Sequence, residues 1–281
     1  MIDLHVHTTM SDGTLTPRQV VKLAKEKGLR AIAITDHDNT SGIQEARDAG
    51  DELGLEVIPG VEISAAYNVG TLHILGYFID YNHGELTTKC EWLRSERANR
   101  ISKILNKLKQ QGILISEDDV NVESKGNSPG KPHVANLIYK NGHTKSYQEA
   151  FDKYLDKGTS TYVPKVKLDP EDAIRLIQDA RGIAAIAHPH SLNIQDSDRL
   201  YEVIKSFSLM GVKAIEVYYP LHTAEQTRLY FSIAEKLNLI VTGGTDFHGS
   251  NKPGVALGVI PGINHIPYDI VMNIKNSLPK R

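Results

Sequence analysis

The chain has 281 residues, of which 40% are hydrophobic and 23% are charged, a balance typical of globular proteins and unlike that of disordered or fibrous chains. The formal net charge of −2 argues against a broad basic surface, which excludes duplex nucleic acid as the expected main partner. The single cysteine, Cys90, excludes an internal disulfide, and without a long apolar run we expect a cytoplasmic protein with no signal peptide and no membrane partner.

Short apolar, β-branched runs alternate with amphipathic stretches along most of the chain. The runs that we predict to be strands are Ile2–His7, Leu29–Thr35, Glu56–Ile63, Leu72–Phe78, Gly182–Ala187, Val212–Tyr218 and Leu239–Thr242. The stretches that we predict to be helices between them are Pro17–Lys27, Gly42–Leu53, Pro170–Arg181 and Ala224–Leu237. Thr16 and Asp169 each precede a proline, which is typical of a helix start. This alternation predicts an α/β fold of parallel strands with crossover helices, and seven strands suit a nearly closed barrel, with an open doubly wound sheet as the alternative.

The middle of the chain interrupts this alternation with consecutive helical patterns. They are Glu85–Gln111, Lys131–Asn141 and Tyr147–Leu155, with a polar loop at Ser124–Pro129. We interpret residues 84–164 as a helical insertion between a first barrel part at residues 1–83 and a second at residues 165–281. The insertion is expected to act as a lid over the site.

Potential ligand side chains follow nearly every predicted strand. His5 and His7 end the first run, and their i, i+2 spacing points both side chains to one side of a strand. The others are Asp12 just beyond that run, His37 after the second, Glu62 near the end of the third, His73 in the fourth, His188 at the end of the fifth, and Asp246 and His248 after the last. In a parallel barrel the carboxyl ends of all strands share one face, so these residues should converge there.

Imidazole nitrogens and carboxylate oxygens are the ligand types of zinc, manganese and iron. A lone histidine at a strand end is usually a structural residue, but this joint pattern is harder to explain in that way. Burial of so many unpaired polar groups would cost on the order of several kcal/mol each, which bound cations would offset. Six histidines and three carboxylates are too many for one ion, so we expect two to three divalent ions, either Mn²⁺, Zn²⁺ or Fe²⁺.

A set of motifs that occurs in order along essentially the whole chain carries a family resemblance. The motifs are Asp3-Leu4-His5-Val6-His7, Ser11-Asp12-Gly13, Thr35-Asp36-His37, Gly60-Val61-Glu62, Leu72-His73-Ile74-Leu75-Gly76, Ala187-His188-Pro189 and Gly244-Thr245-Asp246-Phe247-His248-Gly249. By these motifs the chain resembles the polymerase-and-histidinol-phosphatase (PHP) family. The resemblance implies a distorted (β/α)7 TIM-like barrel and a metal-dependent phosphoesterase activity.

The resemblance also implies a trinuclear metal centre with nine ligands. It assigns the first ion to His5, His7, Glu62 and Asp246, the second to Glu62, His73 and His188, and the third to Asp12, His37 and His248. A hydroxide that bridges the first two ions is the expected nucleophile. Asp36 is expected to orient a ligand histidine rather than to bind metal.

Within the family, three further motifs resemble those of stand-alone nucleotide phosphoesterases of the 3′,5′-nucleoside bisphosphate phosphatase and 5′–3′ exoribonuclease type. They are Arg97-Ala98-Asn99-Arg100, Gly130-Lys131-Pro132-His133 and Tyr162-Val163-Pro164. The implied reaction is hydrolysis of the 5′-phosphate of nucleotides, 3′,5′-bisphosphonucleotides or short oligonucleotides. The expected partner is therefore a small phosphorylated substrate, such as a nucleotide or a short RNA end, and the oligomeric state is left open.

Catalysis and phosphate binding are expected of a second group of residues. Asp246 is a catalytic candidate, and His190 and His222 follow strand ends, where either would act as a general acid or contact the phosphate. The expected phosphate-binding residues, besides His222, are Arg97, Arg100, Lys131 and His133, which lie on one face of a helix or at a helix start. The subgroup commonly has an arginine where this chain has Lys131, and a lysine cannot make a bidentate contact.

Three other functions account for parts of the sequence pattern. A histidinol-phosphate phosphatase would need a pocket for an imidazole and an amine, and gives no reason for Arg97, Arg100 and Lys131. A non-catalytic metal-binding PHP module would not require the full set of ligand types. A metal-dependent amidohydrolase shares the His-x-His motif on the first strand but lacks the combination of Asp12, Glu62 and Asp246-x-His248.

Overall fold

The computed structural model of the chain describes residues 1–124 and 129–279. The chain forms two compact units, one made of Met1–Cys90 and Lys167–Arg281 and the other of Glu91–Val166. The polar loop predicted at Ser124–Pro129 falls mostly on residues 125–128, which lie outside the described residues. In the part of the chain that is described, no helix has both the length and the apolar character needed to span a bilayer.

The first unit contains a seven-stranded mixed sheet that is curved into a nearly closed barrel. Its strands are β1 (Ile2–Val6), β2 (Ala31–Ile34), β3 (Glu56–Ala65), β4 (Leu72–Tyr77), β5 (Ile183–Ile186), β6 (Ala214–Tyr218) and β7 (Ile240–Gly243). They pair in sequence order from β1 to β7. The predicted strand count and the barrel are therefore confirmed.

The fourth strand departs from the predicted all-parallel arrangement. β4 is antiparallel to both β3 and β5, with Ser64 opposite His73, whereas the other neighbouring strands are parallel. The connection at residues 66–71 is too short for a crossover helix, so β3 and β4 form a hairpin. The reversal places the amino end of β4, and with it His73, at the carboxyl end of the parallel strands.

The barrel closes where β1 meets the segment after β7. The His7 N–H donates to the Phe247 carbonyl at 2.9 Å, and the two segments form a parallel bridge at Val6 and Phe247. The buried Asp3 carboxylate strengthens this closure, since it accepts hydrogen bonds from the backbone N–H groups of Thr245 and Gly258, both at 2.9 Å.

Ten α-helices lie in the described residues. They are α1 (Pro17–Glu26), α2 (Ile43–Leu53), α3 (Gly84–Gln110), α4 (Glu117–Glu123), α5 (Lys131–Lys140), α6 (Tyr147–Ala150), α7 (Pro170–Asp179), α8 (Ser197–Met210), α9 (Ala224–Leu237) and α10 (Asp269–Asn276). A π-helical turn, Phe151–Leu155, continues α6. Three of these helices, α4, α8 and α10, were not predicted from the sequence.

The two predicted proline starts are found, but only one has a side-chain cap. Thr16 forms a capping box with Gln19 at the start of α1, in which each side chain accepts from the other residue's backbone N–H, an arrangement that satisfies free donors of the first turn. Asp169 occupies the N-cap position of α7, but its side chain makes no capping hydrogen bond.

Each unit has its own apolar core. In the barrel unit, Ile2 and Leu4 of β1 belong to a buried cluster that includes Ile270 and Ile274 of α10. The second unit buries side chains of α3, α4, α5 and α6 against one another, with Leu108, Val134 and Ile138 fully buried. The apolar faces of its helices thus have partners within the insertion itself.

Candidate functional site

The carboxyl end of β1 carries His5 and His7, and both side chains are fully buried. The segment after β7 packs directly against them, because a Cβ atom on Gly244 would lie only 2.4 Å from the Cβ of His5. A glycine at position 244 therefore allows the loop that bears Asp246 to approach β1.

Glu62 on β3 lies at the centre of the site. Its carboxylate is fully buried and lies within 3.3 Å of five imidazoles. The distances are 2.8 Å to His73 Nδ1, 3.0 Å to His37 Nδ1, 3.1 Å to His7 Nε2, 3.1 Å to His188 Nε2 and 3.3 Å to His5 Nε2. Residues far apart in the sequence thus meet at one carboxylate.

Asp246 forms a second centre, next to the first. Its Oδ1 lies 3.2 Å from His7 Nε2 and 3.5 Å from His5 Nε2, whereas its Oδ2 accepts hydrogen bonds from the Tyr219 hydroxyl at 2.9 Å and from Lys252 Nζ at 2.5 Å. Its backbone φ of 54° is unfavourable for a residue with a side chain, by about 1–3 kcal/mol, and such strain is concentrated at functional sites.

Asp12 forms the third centre, at the more exposed side of the site. Its carboxylate lies 3.1 Å from His248 Nε2, 3.5 Å from His7 Nδ1 and 3.8 Å from His37 Nε2. The carboxylates of Asp12, Glu62 and Asp246 therefore each face two or more imidazoles, and His7 touches all three.

The electrostatics of the site require positive charge between the carboxylates. Burial opposes their ionisation, yet the surrounding histidines hold the pKa of Asp12, Glu62 and Asp246 well below the usual range. Burial also disfavours a charged His7, but the nearby carboxylates of Asp246 and Glu62 outweigh that effect and raise its pKa to about 10. Protons on histidines supply this charge in part, and divalent cations would supply it more fully.

The donor atoms fit such cations. Four buried atoms that face the centre make no hydrogen bond within residues 1–124 and 129–279: His5 Nε2, His7 Nε2, His37 Nδ1 and Glu62 Oε2. A buried polar atom without a partner costs about 1–3 kcal/mol, and a coordinated cation would remove that cost. Nitrogen and oxygen donors of this kind suit first-row divalent ions.

The described donor atoms fall into three groups, and within each group all atoms lie within 4.8 Å of one another. The groups are His5, His7, Glu62 and Asp246; His7, Asp12, His37 and His248; and His37, Glu62 and His73. The first equals the set implied for the first ion. The group around Asp12 contains the residues implied for the third ion and also His7. The group of His37, Glu62 and His73 differs from the set implied for the second ion, because it contains His37 and lacks His188, although His188 contacts Glu62. All nine residues nevertheless lie at one site.

A cavity of about 270 Å³ opens onto this centre. Its lining residues are His37, Glu62, His73, His188, Asp246, His248, Asn251 and Lys252. A substrate group in the cavity would therefore meet both the proposed ligands and the ammonium of Lys252.

His190 and His222 lie beside the centre as neutral rings. Burial lowers the pKa of His222 to about 3 and that of His190 to about 4. His222 Nδ1 lies 2.9 Å from the Val217 carbonyl, so this nitrogen carries the proton and Nε2 is an acceptor. The general-acid or phosphate-binding roles expected of His190 and His222 remain predictions.

The predicted phosphate-binding residues Arg97, Arg100, Lys131 and His133 lie in the second unit. Arg100 Nε donates to the Val163 carbonyl at 2.8 Å. Lys131 Nζ donates to the Leu155 carbonyl at 3.0 Å. The pKa of Lys131 is lowered mainly by burial and also by the nearby charge of Arg100. His133 Nδ1 accepts from the Gly130 N–H at 3.1 Å, so the His133 side chain caps the start of α5. The insertion thus has a cluster of positive charges, and its role in substrate binding remains a prediction.

Asp36 is linked to a ligand histidine through a neighbouring serine. It accepts hydrogen bonds from the Thr8 N–H at 2.8 Å and from the Ser11 hydroxyl at 2.6 Å. Ser11 Oγ in turn lies 3.4 Å from His7 Nδ1. Asp36 therefore holds the loop after β1, and it reaches His7 only through Ser11.

Three residues of the site were not recognised from the sequence: Glu216, Tyr219 and Lys252. Glu216 is fully buried on β6 and lies 3.0 Å from His5 Nδ1. A charged residue inside the apolar run Val212–Tyr218 was a usable signal for it, because an isolated buried carboxylate is costly. Lys252 had no comparable signal, since it lies in a loop and reaches Asp246 only in the folded chain.

Comparisons with known proteins extend the similarity over most of the chain. A family model described as PHP domain matches residues 3–162. Over 246 residues the chain is 33% identical to a 5′-3′ exoribonuclease of Haemophilus influenzae, and this match covers 88% of this chain and 89% of that protein. Over 262 residues it is 31% identical to a 3′,5′-nucleoside bisphosphate phosphatase of Chromobacterium violaceum, with coverages of 92% and 90%.

A solved structure agrees with these sequence matches. A protein of Bifidobacterium adolescentis that was assigned as a metal-dependent phosphoesterase superposes with a TM-score of 0.81 at 30% identity. The superposition covers 97% of this chain and 94% of that one. The similarity to that structure therefore extends over nearly the whole chain.

Proposed function

Since this chain belongs to the PHP domain family and is a metal-dependent phosphoesterase, we propose that it hydrolyses the 5′-phosphate of nucleotides, 3′,5′-bisphosphonucleotides or short oligonucleotides. The alternative substrate class is histidinol phosphate. The observation that carries the proposal is the contact of one buried carboxylate, Glu62, with five imidazoles, beside two further carboxylates.

We propose that two to three divalent ions, Mn²⁺, Zn²⁺ or Fe²⁺, bind among the nine residues. The proposed ligands are His5, His7, Asp12, His37, Glu62, His73, His188, Asp246 and His248. Glu62 would serve more than one ion, because both of its oxygens face imidazole nitrogens. The unpartnered buried atoms of His5, His7 and His37 support this assignment.

The chain's own residues would prepare the site for a phosphate ester. When bound, the ions supply Lewis acidity, which activates water at neutral pH and neutralises charge on the phosphoryl oxygens. Asp246 keeps one oxygen toward His5 and His7, while Tyr219 and Lys252 hold its other oxygen. Lys252 also lines the cavity, where its ammonium would attract a phosphate oxygen as a point charge.

The nucleotide part of the proposal rests on the named relatives and on the insertion. An exoribonuclease and a nucleoside bisphosphate phosphatase each match about nine-tenths of this chain. The positive charges of Arg97, Arg100 and Lys131 lie close enough to affect one another. Burial has the largest effect in lowering the pKa of Arg100, and the charge of Arg97 also lowers it. Burial likewise lowers the pKa of Lys131, and the charge of Arg100 adds to that effect. Such a cluster favours an anion, and we propose that the insertion acts as a lid that brings it to the substrate.

A phosphate-release assay would test the proposal. The purified chain would be given adenosine 3′,5′-bisphosphate, AMP, a 5′-phosphorylated trinucleotide and histidinol phosphate, each with added Mn²⁺ and again with a chelator. We expect release from the nucleotides, its loss with chelator, and its loss in the Glu62→Gln variant. Faster turnover of histidinol phosphate would favour the alternative, and Mn²⁺ binding without turnover of any ester would favour a non-catalytic module.

A further inference from the structure

A carboxylate that the proposed ligand set does not include joins two of the ligand-bearing strands. Glu216 on β6 is fully buried, its Oε1 lies 3.0 Å from His5 Nδ1, and its Oε2 accepts from the His188 backbone N–H at 2.7 Å. We propose that Glu216 is a positioning residue that fixes the tautomer of His5 and the backbone of His188, so that both rings present Nε2 to the metal ions. This inference rests on the metal-binding function proposed above.

The first contact determines which nitrogen of His5 is available. A carboxylate accepts hydrogen bonds, so Nδ1 of His5 must carry a proton in order to bond to Glu216. His5 Nε2 then faces Glu62 Oε2 at 3.3 Å and Asp246 Oδ1 at 3.5 Å, and this nitrogen is the one without a hydrogen-bond partner among the described residues. The proton on Nδ1 thus leaves the lone pair of Nε2 free to bind a cation.

The second contact holds a strained residue. The backbone of His188 has φ 25° and ψ 67°, which lies outside the regions that a residue with a side chain prefers. Its N–H is held by Glu216, and its Nδ1 lies 3.0 Å from Ser191 Oγ. With both ends held, His188 Nε2 lies 3.1 Å from Glu62 Oε1.

The two contacts explain why a carboxylate is required at position 216. Both partners are donors, and a carboxylate offers two acceptor oxygens. A glutamine offers one acceptor oxygen and one NH2 donor. In Glu216→Gln, therefore, either the His188 N–H loses its acceptor, or the amide donates to His5 Nδ1 and moves the proton of His5 to Nε2, where it would block a cation.

The test compares Mn²⁺ and Zn²⁺ affinity, by titration against a competing chelator, in the wild type and in Glu216→Gln. We expect affinity to fall about tenfold to a hundredfold, the usual effect of losing a partner that orients a ligand histidine. Glu56→Gln is the matched control, because Glu56 also bonds two donors, Tyr268 and Lys275, both at 2.6 Å and away from the centre. It should bind both metals as the wild type does.

A second measurement does not depend on whether Glu216→Gln folds. In the Zn²⁺-loaded wild type with ¹⁵N-labelled histidine, two-bond nitrogen–proton correlations should show His5 protonated at Nδ1 alone, with its signals assigned by their loss in His5→Ala. A proton on Nε2 of His5 would overturn the inference. So would wild-type affinity in Glu216→Gln.

The Glu62→Gln variant separates this inference from the proposed function. If Glu62→Gln weakens metal binding and Glu216→Gln does not, the metal site stands and the role of Glu216 is refuted. If neither the wild type nor Glu62→Gln binds either metal at millimolar concentration, the proposed function itself fails.

Discussion

The Nζ atom of Lys252 lies 2.5 Å from Oδ2 of Asp246 and 2.9 Å from the Tyr219 hydroxyl, which donates to the same carboxylate oxygen. Asp246 is therefore held on one side by a lysine and a tyrosine, and it faces His5 and His7 on the other. This arrangement orients the carboxylate and also places an ammonium group in the cavity.

Lys252→Met should lower kcat/KM for a nucleotide 5′-phosphate by about tenfold to a hundredfold. A hydrogen bond to a charged group contributes about 1.5–3 kcal/mol, and the loss of the ammonium leaves Asp246 less firmly oriented. Steady-state kinetics would measure the effect, with Lys205→Met as the control because Lys205 pairs with Glu202 on the surface of α8. Unchanged kinetics in Lys252→Met would show that Lys252 contributes neither to catalysis nor to substrate binding.

His7→Ala and Asp246→Ala should each lower kcat by at least about a thousandfold while the barrel stays folded. His7 contacts all three carboxylates, and Asp246 faces three imidazoles, those of His5, His7 and His248. Phosphate release and circular dichroism would be measured together, and the exposed His143, changed to alanine, would be the control. Near-normal turnover in both variants would contradict the placement of the active centre.

The partly buried, neutral ring of His222 should make the protein sensitive to acid. Its folded-state pKa is lowered by burial to about 3, below the value of about 6.5 in an unfolded chain. The unfolded state binds more protons between these values, so its contribution to stability is complete above pH 6.5 and is lost as the pH falls toward 3. Between pH 6.5 and 4.5 this single group should lower the free energy of unfolding by about 2–3 kcal/mol.

His222→Phe keeps a ring and removes the titration, so it should reduce the pH dependence by about that amount. Urea unfolding at the two pH values, with a chelator present throughout, would measure the difference. The exposed His265, changed to phenylalanine, serves as the control. A pH dependence in His222→Phe equal to that of the wild type would be inconsistent with a neutral His222.

Arg97→Gln should raise KM for adenosine 3′,5′-bisphosphate about tenfold, with kcat little changed. Arg97 lies on α3 near Arg100, and a lost contact to a phosphate removes binding that substrate and transition state share. KM for AMP should change less, because AMP has one phosphate. Lys103→Gln, an exposed change on the same helix, is the control, and an equal rise in KM for both substrates would argue against recognition of a second phosphate.

The order of elements could be predicted because each strand and helix leaves a local pattern. The seven strands were found within about two residues of their bounds, and the helix Ala224–Leu237 was predicted at both ends. Helices α8 and α10 were not predicted, although both are as amphipathic as α9. The lid role and the phosphate contacts of the insertion remain predictions.

The sequence by itself determined the chemistry of the site. Ligand types at the ends of strands, together with a barrel whose parallel strands share a carboxyl face, are enough to bring His5, His7 and Asp246 together. The same reasoning reached Glu62 and His188. These are consequences of local pattern and of topology, which the residues encode along the chain.

Only the tertiary structure decided the features that depend on long-range contact. The reversal of β4 places His73 opposite Ser64, Glu216 lies between His5 Nδ1 and the His188 backbone N–H, and burial lowers the pKa of His222. The physical reason is that hydrogen-bond partners, desolvation and the direction of a hairpin strand depend on residues that are distant in the sequence. A local pattern can show that a group is polar, but only the fold shows what it faces.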